Sequence, residues 1–278
     1  MHMSIEQVQW LMKILQPERA LGSMPGVSAL TEALRASLLG VDPEIYSAEL
    51  ARMRRDVKTA AGELLAEPAI AKMVDRLPLP KGARVLAFGD SHTSDPQSWA
   101  FILGEMLAVR RPRDEVSVTV SAVPGETTTH GLVRVGEALA SDAAWVIFFL
   151  GVNDARTQGP SPTKTLVDHS ETARNLAEIR HRVSFETKAR CLWIAPAAVN
   201  EDRIAAHWGL SRFGVRFKNE AIASVAKAVR DLGDPTIDLF ATLGAPPPPE
   251  LLTDDGLHFT LAGQKRIARE VVRGWSER

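Results

Sequence analysis

Four short polar clusters carry the residue types that nucleophilic serine chemistry requires. That chemistry needs a hydroxyl, a base, a group to orient the base, and donors for an oxyanion. Phe88-Gly89-Asp90-Ser91-His92-Thr93 offers the Ser91 hydroxyl between an acid and a histidine. Asp254-Asp255-Gly256-Leu257-His258 offers His258 as base. Asp255, three residues earlier, can fold back within the same loop and accept from the other imidazole nitrogen. Such a contact fixes the tautomer and stabilises the imidazolium. Pro124-Gly125-Glu126-Thr127 and Gly151-Val152-Asn153-Asp154 supply candidate oxyanion donors. These are the backbone N–H of Gly125 and the side-chain amide of Asn153, joined by the N–H of Ser91. Glycine at 125 lets backbone approach a substrate closely. Taken singly, each cluster has an ordinary reading as a polar turn, a cap or a solvated loop.

The elements that must bring these clusters together are legible in the periodicity. From Arg84 onward, short apolar runs alternate with amphipathic helical stretches. The runs are Val85–Phe88, Val116–Val120, Trp145–Leu150, Cys191–Ile194 and Thr236–Leu239. Helical spacing recurs in Trp99/Ile102/Leu103/Met106 and in Ile267/Val271/Val272/Trp275. This alternation predicts a parallel sheet with helices on both faces and right-handed crossovers, a doubly wound α/β sandwich. Ligands of such sheets bind beyond the carboxyl ends of the strands. Three clusters follow the first three runs, and the fourth precedes the last helix, with Thr260 as its N-cap. Asp95-Pro96 reads as the cap and first residue of the helix after Ser91. Residues 1–79 read as helices, from Val8/Leu11/Met12/Leu15, Leu30/Leu34/Leu38 and a longer stretch from Ile45 to Leu65 behind Pro43. Leu77–Gly82 is a proline-glycine break. The expected organisation is a helical extension over residues 1–79 and a catalytic domain over 80–278. The extension must cover its apolar faces, as a cap over the site or as the interface of a homo-oligomer.

Together the clusters resemble the SGNH, or GDSL, hydrolase family. Its blocks appear in order as FGDSHT, VPGETTTHGL, LGVNDA and DDGLHFTLAGQ, within about residues 84–275. The resemblance implies a flavodoxin-like three-layer α/β/α fold with a five-stranded parallel sheet. It places the nucleophile on Ser91, the acid and base on Asp255 and His258, and oxyanion donors on Ser91, Gly125 and Asn153. The implied activity is that of a serine esterase or deacylase, acting on a small-molecule or carbohydrate ester through an acyl-enzyme. No metal or other cofactor is implied. Three positions depart from the family pattern: His92 after the serine, Val120 in the second block and Phe259 after the histidine. His92, Asn200 and Glu201 are candidate substrate contacts. Asp90 and Asp154 are expected to hydrogen-bond the loops that place Ser91 and Asn153. Cys191 is expected to be an inert core thiol.

Composition narrows the alternatives. Net charge is −1 and the pI is near 6.7, so no basic field exists to hold nucleic acid or an anionic membrane. No run approaches the roughly 20 apolar residues of a membrane span. Glu6 and Lys13 interrupt the N-terminal apolar positions, and a single cysteine excludes an internal disulfide, which predicts a soluble cytoplasmic protein. Three other readings compete. Asp90-Ser91-His92 with Asn153-Asp154 could belong to a metallophosphoesterase, but the further His and Asp ligands of a two-metal site are missing from the sequence. A degenerate α/β binding module is a second. An acyltransferase, in which an alcohol resolves the acyl-enzyme, would use the same residues as an esterase.

Overall fold

The computed structural model describes residues 3–21, 24 and 26–278. Met1, His2, Gly22, Ser23 and Pro25, which the helical reading of the N-terminus also took in, lie outside the described residues. Ahead of the sheet stand α1 (Ile5–Ile14), α2 (Pro17–Ala20), α3 (Glu32–Leu39), α4 (Pro43–Leu65) and α5 (Pro68–Asp75). The apolar runs then become β1 (Arg84–Gly89), β2 (Ser117–Ala122), β3 (Trp145–Phe149), β4 (Arg190–Ala195) and β5 (Thr236–Asp238). Helices α6 (Ser91–Ser94) and α7 (Trp99–Arg110) link β1 to β2, and α8 (Thr128–Ala140) links β2 to β3. Helix α9 (His169–Glu186) links β3 to β4. Helices α10 (Glu201–Ala206), α11 (Trp208–Ser211) and α12 (Asn219–Arg230) link β4 to β5. Helices α13 (Leu239–Leu243) and α14 (Leu261–Ser276) close the chain.

All pairings are parallel, in the order β2-β1-β3-β4-β5, the flavodoxin-like winding. Side chains alternate across the pleat, so neighbouring residues of one strand feed different cores. Leu86, Phe88, Val146, Phe148, Cys191 and Trp193 pack on one side with α8, α9 and α12. Val85, Ala87, Trp145, Ile147, Phe149, Leu192 and Ile194 pack on the other side with α7 and α14. The result is the expected α/β/α sandwich. Burial pushes the Cys191 thiol up to about 11, so this core cysteine stays a neutral, poorly reactive thiol.

The second core continues across the expected boundary. Val57, Ala60, Ala61 and Leu64 of α4, with Ile70 and Val74 of α5, belong to the same apolar cluster as the sheet. The proline-glycine break at residues 77–82 therefore marks a change of secondary structure within one core. A separate small cluster joins Val8 and Met12 of α1 to Ala36, Val41, Tyr46, Leu50 and Met53. The Leu30/Leu34/Leu38 stripe does not bury: Leu34 is 44% and Leu38 58% exposed. Ala36 is instead the buried residue of α3, a small side chain that lets this short helix lie close on its neighbours.

Register explains why the polar clusters meet. Gly89 stands opposite both Ala122 of β2 and Phe149 of β3, so these three strands end level. Any side chain at Gly89 would collide with the Phe149 carbonyl and with Thr93. Among the described residues, no helix is long and apolar enough to cross a membrane.

Candidate active site

Ser91 opens the single turn of α6, and Asp90 is its N-cap, accepting from the His92 N–H at 3.1 Å. Asp95-Pro96, expected to start the next helix, does not. Asp95 closes α6 and accepts from the Gln97 N–H at 2.8 Å, and α7 begins at Trp99. The delay has a tertiary cause. Gln264 of α14 accepts from the Trp99 N–H at 2.9 Å and donates to the His92 carbonyl at 3.2 Å. The Trp99 indole also reaches Thr93 Oγ1 at 3.2 Å. These contacts fix the turn that carries the serine between β1 and α14.

His258 Nε2 lies 3.0 Å from Ser91 Oγ, and His258 Nδ1 lies 2.6 Å from Asp255 Oδ2. Asp255, rather than its neighbour Asp254, is the partner, and it is completely buried. Its Oδ1 accepts from the N–H groups of Leu257 and His258, both at 2.9 Å, and from Thr253 Oγ1 at 2.7 Å. Burial alone would raise the Asp255 carboxyl, but the His258 charge and these hydrogen bonds outweigh it and hold the group well below the usual carboxylate range. Burial likewise opposes a charged His258. The Asp255 charge and hydrogen bond, with Asp95 and Asp90 nearby, outweigh it and lift the imidazole above its ordinary value. An ionised Asp255 holds the proton on Nδ1 and leaves the Nε2 lone pair facing the serine hydroxyl.

A cavity of about 150 Å³ brings Ser91, Gly125, Asn153 and His258 to one surface. Gly125 sits at φ +80°, where a side chain would strain the turn. Asn153 Nδ2 donates to the Glu126 carbonyl at 3.0 Å. Glu126 in turn is held by Arg134, whose Nε donates to both carboxylate oxygens at 2.8 and 2.9 Å. Asp154 carries the third loop. It accepts twice from the Thr128 N–H at 3.0 Å and from the Thr128 hydroxyl at 2.8 Å, at the start of α8. Asp90 and Asp154 thus hold loops, as expected, and burial pushes them up to about 7 and about 6 respectively.

Other expectations need correction. His92 is 2% exposed, with its ring 5.1–5.7 Å from those of Phe149, Phe259 and His258, so no face is free for a substrate. Its Nε2 contacts the Leu257 carbonyl at 3.2 Å, and burial pushes its imidazole down to about 3. It therefore buttresses the loop before His258. Asn200 caps α10 by accepting from the Arg203 N–H, and Glu201 binds Lys218 and the Asn219 N–H. Neither lines the Ser91 cavity; the chain turns into α10 too soon. Among the described residues, no three His, Cys, Asp or Glu side chains converge to hold a metal ion.

The sequence reading offered the N-terminal extension as a cap over the site or an oligomer interface, but named no residue of α1 at the site. Ile14 lines the Ser91 cavity beside Leu210, Val215, Phe217 and Leu257. A wider groove of about 720 Å³ opens on the other side of His258, lined by Trp10, Gln97, Trp208 and Asp254. The apolar stripe of α1 was visible in the sequence; its far face, which meets the site, carries no local signal.

The GDSL-like Lipase/Acylhydrolase family matches residues 87–266. No curated protein matches the chain in sequence. The fold is similar to the crystal structure of TesA, at 21% identity over 69% of this chain and 97% of that one, with a TM-score of 0.51. It is also similar to a catalytic mutant of Axe2, an acetylxylan esterase from Geobacillus stearothermophilus, at 16% identity over 71% and 95% of the chains, TM-score 0.54. LAE5, an alpha/beta hydrolase enzyme from the metagenome of Lake Arreo, Spain, gives 17% identity over 71% and 96%, TM-score 0.54. At these identities the structures speak for the fold, and the family match begins beyond α5. Since that match runs from inside β1 to inside α14, the chain belongs to the GDSL-like lipase/acylhydrolase family, and with it to the carboxylic ester hydrolases.

Proposed function

We propose that the protein hydrolyses esters of short acyl groups through a covalent acyl-enzyme on Ser91. The observation that carries this reading is the unbroken chain Ser91 Oγ–His258–Asp255, with contacts of 3.0 and 2.6 Å, at the wall of the small cavity. His258 takes the hydroxyl proton as Oγ attacks the ester carbon. The N–H groups of Ser91 and Gly125 and the Asn153 amide receive the developing oxyanion. Collapse of the tetrahedral adduct expels the alcohol, which leaves with the proton from His258. A water, deprotonated by His258, then releases the acid and regenerates Ser91.

Cavity size supports the acyl assignment. About 150 Å³ beside Ser91, walled by Ile14, Leu210, Val215 and Phe217, suits an acyl group of few carbons. The larger groove past His258 combines the Trp10 and Trp208 rings with Gln97 and Asp254, which suits a polar alcohol such as a carbohydrate. Axe2, similar in fold, is named as acting on acetylated xylan. An alcohol held in that groove would also sit beside His258, where it could replace water and make the reaction an acyl transfer. Adding an alcohol acceptor and measuring how product divides between acid and new ester separates the two outcomes. The main test is Ser91→Ala. It is expected to lower kcat on the order of 10⁶-fold with an unchanged circular dichroism spectrum. Undiminished turnover by the purified variant would overturn the mechanism.

A further inference from the structure

Asp255 has one donor that lies outside the matched family region. Trp10 of α1, 245 residues away in sequence, donates its indole N–H to Asp255 Oδ2 at 2.8 Å. It shares that oxygen with His258 Nδ1. The indole sits in a prepared slot. The His207 and Trp208 rings lie 5.0 and 5.1 Å from it, and Gly209 has no side chain where a methyl group would overlap the Trp10 ring. Helix α1 is fastened on the serine side as well. Lys13 pairs with Asp95 at 2.9 Å, and Gln16, just past the helix, donates to the Ser94 carbonyl at 3.1 Å. Between these ties Ile14 faces the Ser91 cavity.

We infer that Trp10 is a positioning residue for the Asp255–His258 pair, so that α1, lying outside the matched family region, completes the catalytic relay. The inference rests on the Ser91 mechanism proposed above. Its physical content is a shared acceptor. Trp10 holds the Asp255 carboxylate in the plane that meets His258, and by donating to Oδ2 it reduces the electron density available to the imidazolium. Removing the indole N–H leaves a more basic carboxylate that favours protonated His258. The inactive form of the base then persists to higher pH. Other titratable groups face the pair: His92 and Asp90 from the serine side, Asp95 with its partner Lys13, and His207 and Asp254 from the groove. Of these groups only His207 packs against the ring at position 10, and phenylalanine keeps an aromatic ring beside it.

The test compares full-length Trp10→Phe with wild type in kcat/KM against pH, using a short-chain nitrophenyl ester. Phenylalanine keeps an aromatic ring in the slot and removes the donor. The acid limb is expected to move up by roughly half a pH unit, and plateau kcat to fall about 3–10-fold, as loss of one of several donors to a charged group implies. Gly209→Ala approaches the same contact from the opposite wall and is expected to give the same displacement of the limb. A Trp10→Phe enzyme with wild-type kcat and an unmoved limb would overturn the inference. So would a change confined to KM, which would make Trp10 a substrate contact. A wild-type enzyme whose turnover survives Ser91→Ala counts against the mechanism; a Ser91-dependent enzyme indifferent to both variants counts against Trp10 alone.

Discussion

Helices α1 and α4 come from the same N-terminal segment and attach to the rest of the molecule by different physics. Helix α4 inserts Val57, Ala60, Ala61 and Leu64 into the core beneath the sheet. Its attachment is apolar area removed from water, which is non-directional and large in sum. Helix α1 gives its apolar residues Val8 and Met12 to a small satellite cluster. It reaches the site through directional polar contacts, Trp10 to Asp255 and Lys13 to Asp95. Helix α4 is therefore part of the fold, whereas α1 is part of the site. A segment can lie wholly outside a family's matched region and still hold both roles.

That contrast can be broken by substitution. Leu64→Ala, at a fully buried position, is expected to remove about 2–5 kcal/mol of unfolding free energy while leaving kcat of the folded protein unchanged. Chemical denaturation followed by assay of the folded fraction checks both halves of that statement. Asn153→Ala, in neither helix, is expected to lower kcat by about 10²–10³, or roughly 2.7–4 kcal/mol, with little change in KM. If KM alone rose, Asn153 would bind substrate rather than the oxyanion. Ile14→Ala is expected to leave thermal stability untouched. It should improve kcat/KM about tenfold for esters one or two methylenes longer than the best wild-type substrate. A chain-length series reads this directly, and an unchanged preference would remove α1 from the acyl pocket.

The smallest expected difference concerns pH. In the proposed mechanism neutral His258 is the active base, so activity is expected to rise with pH through its titration. Because the Asp255 charge and hydrogen bond outweigh burial and lift that imidazole, the acid limb is expected to lie above the ordinary histidine value of about 6.5. Ile14→Ala should leave the limb in place, since Ile14 touches the cavity and not the Asp255 carboxylate. A displaced limb in this variant would mean that packing anywhere on α1 tunes the base, and the distinction between lining and positioning would fail.

Much of this was legible in the sequence. Short apolar runs located the strands and period-3.6 patterns the principal helices, and the position of three polar clusters after strands and of the fourth before the last helix pointed to one site. What stayed hidden was non-local. Asp95-Pro96 has the look of a helix start, yet Gln264 moves that start to Trp99. His92 sits beside Ser91 in sequence but turns inward against Phe149 and Phe259. Leu34 and Leu38 keep helical spacing but find no cover, because the smaller Ala36 makes the contact. Trp10 could not be foreseen at all, since nothing in a ten-residue amphipathic helix identifies a hydrogen-bond partner on the loop that carries His258.

The aromatic slot for Trp10 also gives the molecule an optical signature. Two tryptophan pairs have ring centroids close enough for their transition dipoles to couple: Trp10 with Trp208 at 5.1 Å, and Trp145 with Trp275 at 5.3 Å. The second pair lies within the core and reports the intact sandwich. The first spans α1 and α11, and its contribution to the circular dichroism spectrum disappears if the two rings separate. The difference spectrum between wild type and Trp208→Phe isolates that pair. Its amplitude during a temperature or denaturant ramp would show whether α1 leaves the site before the fold itself gives way.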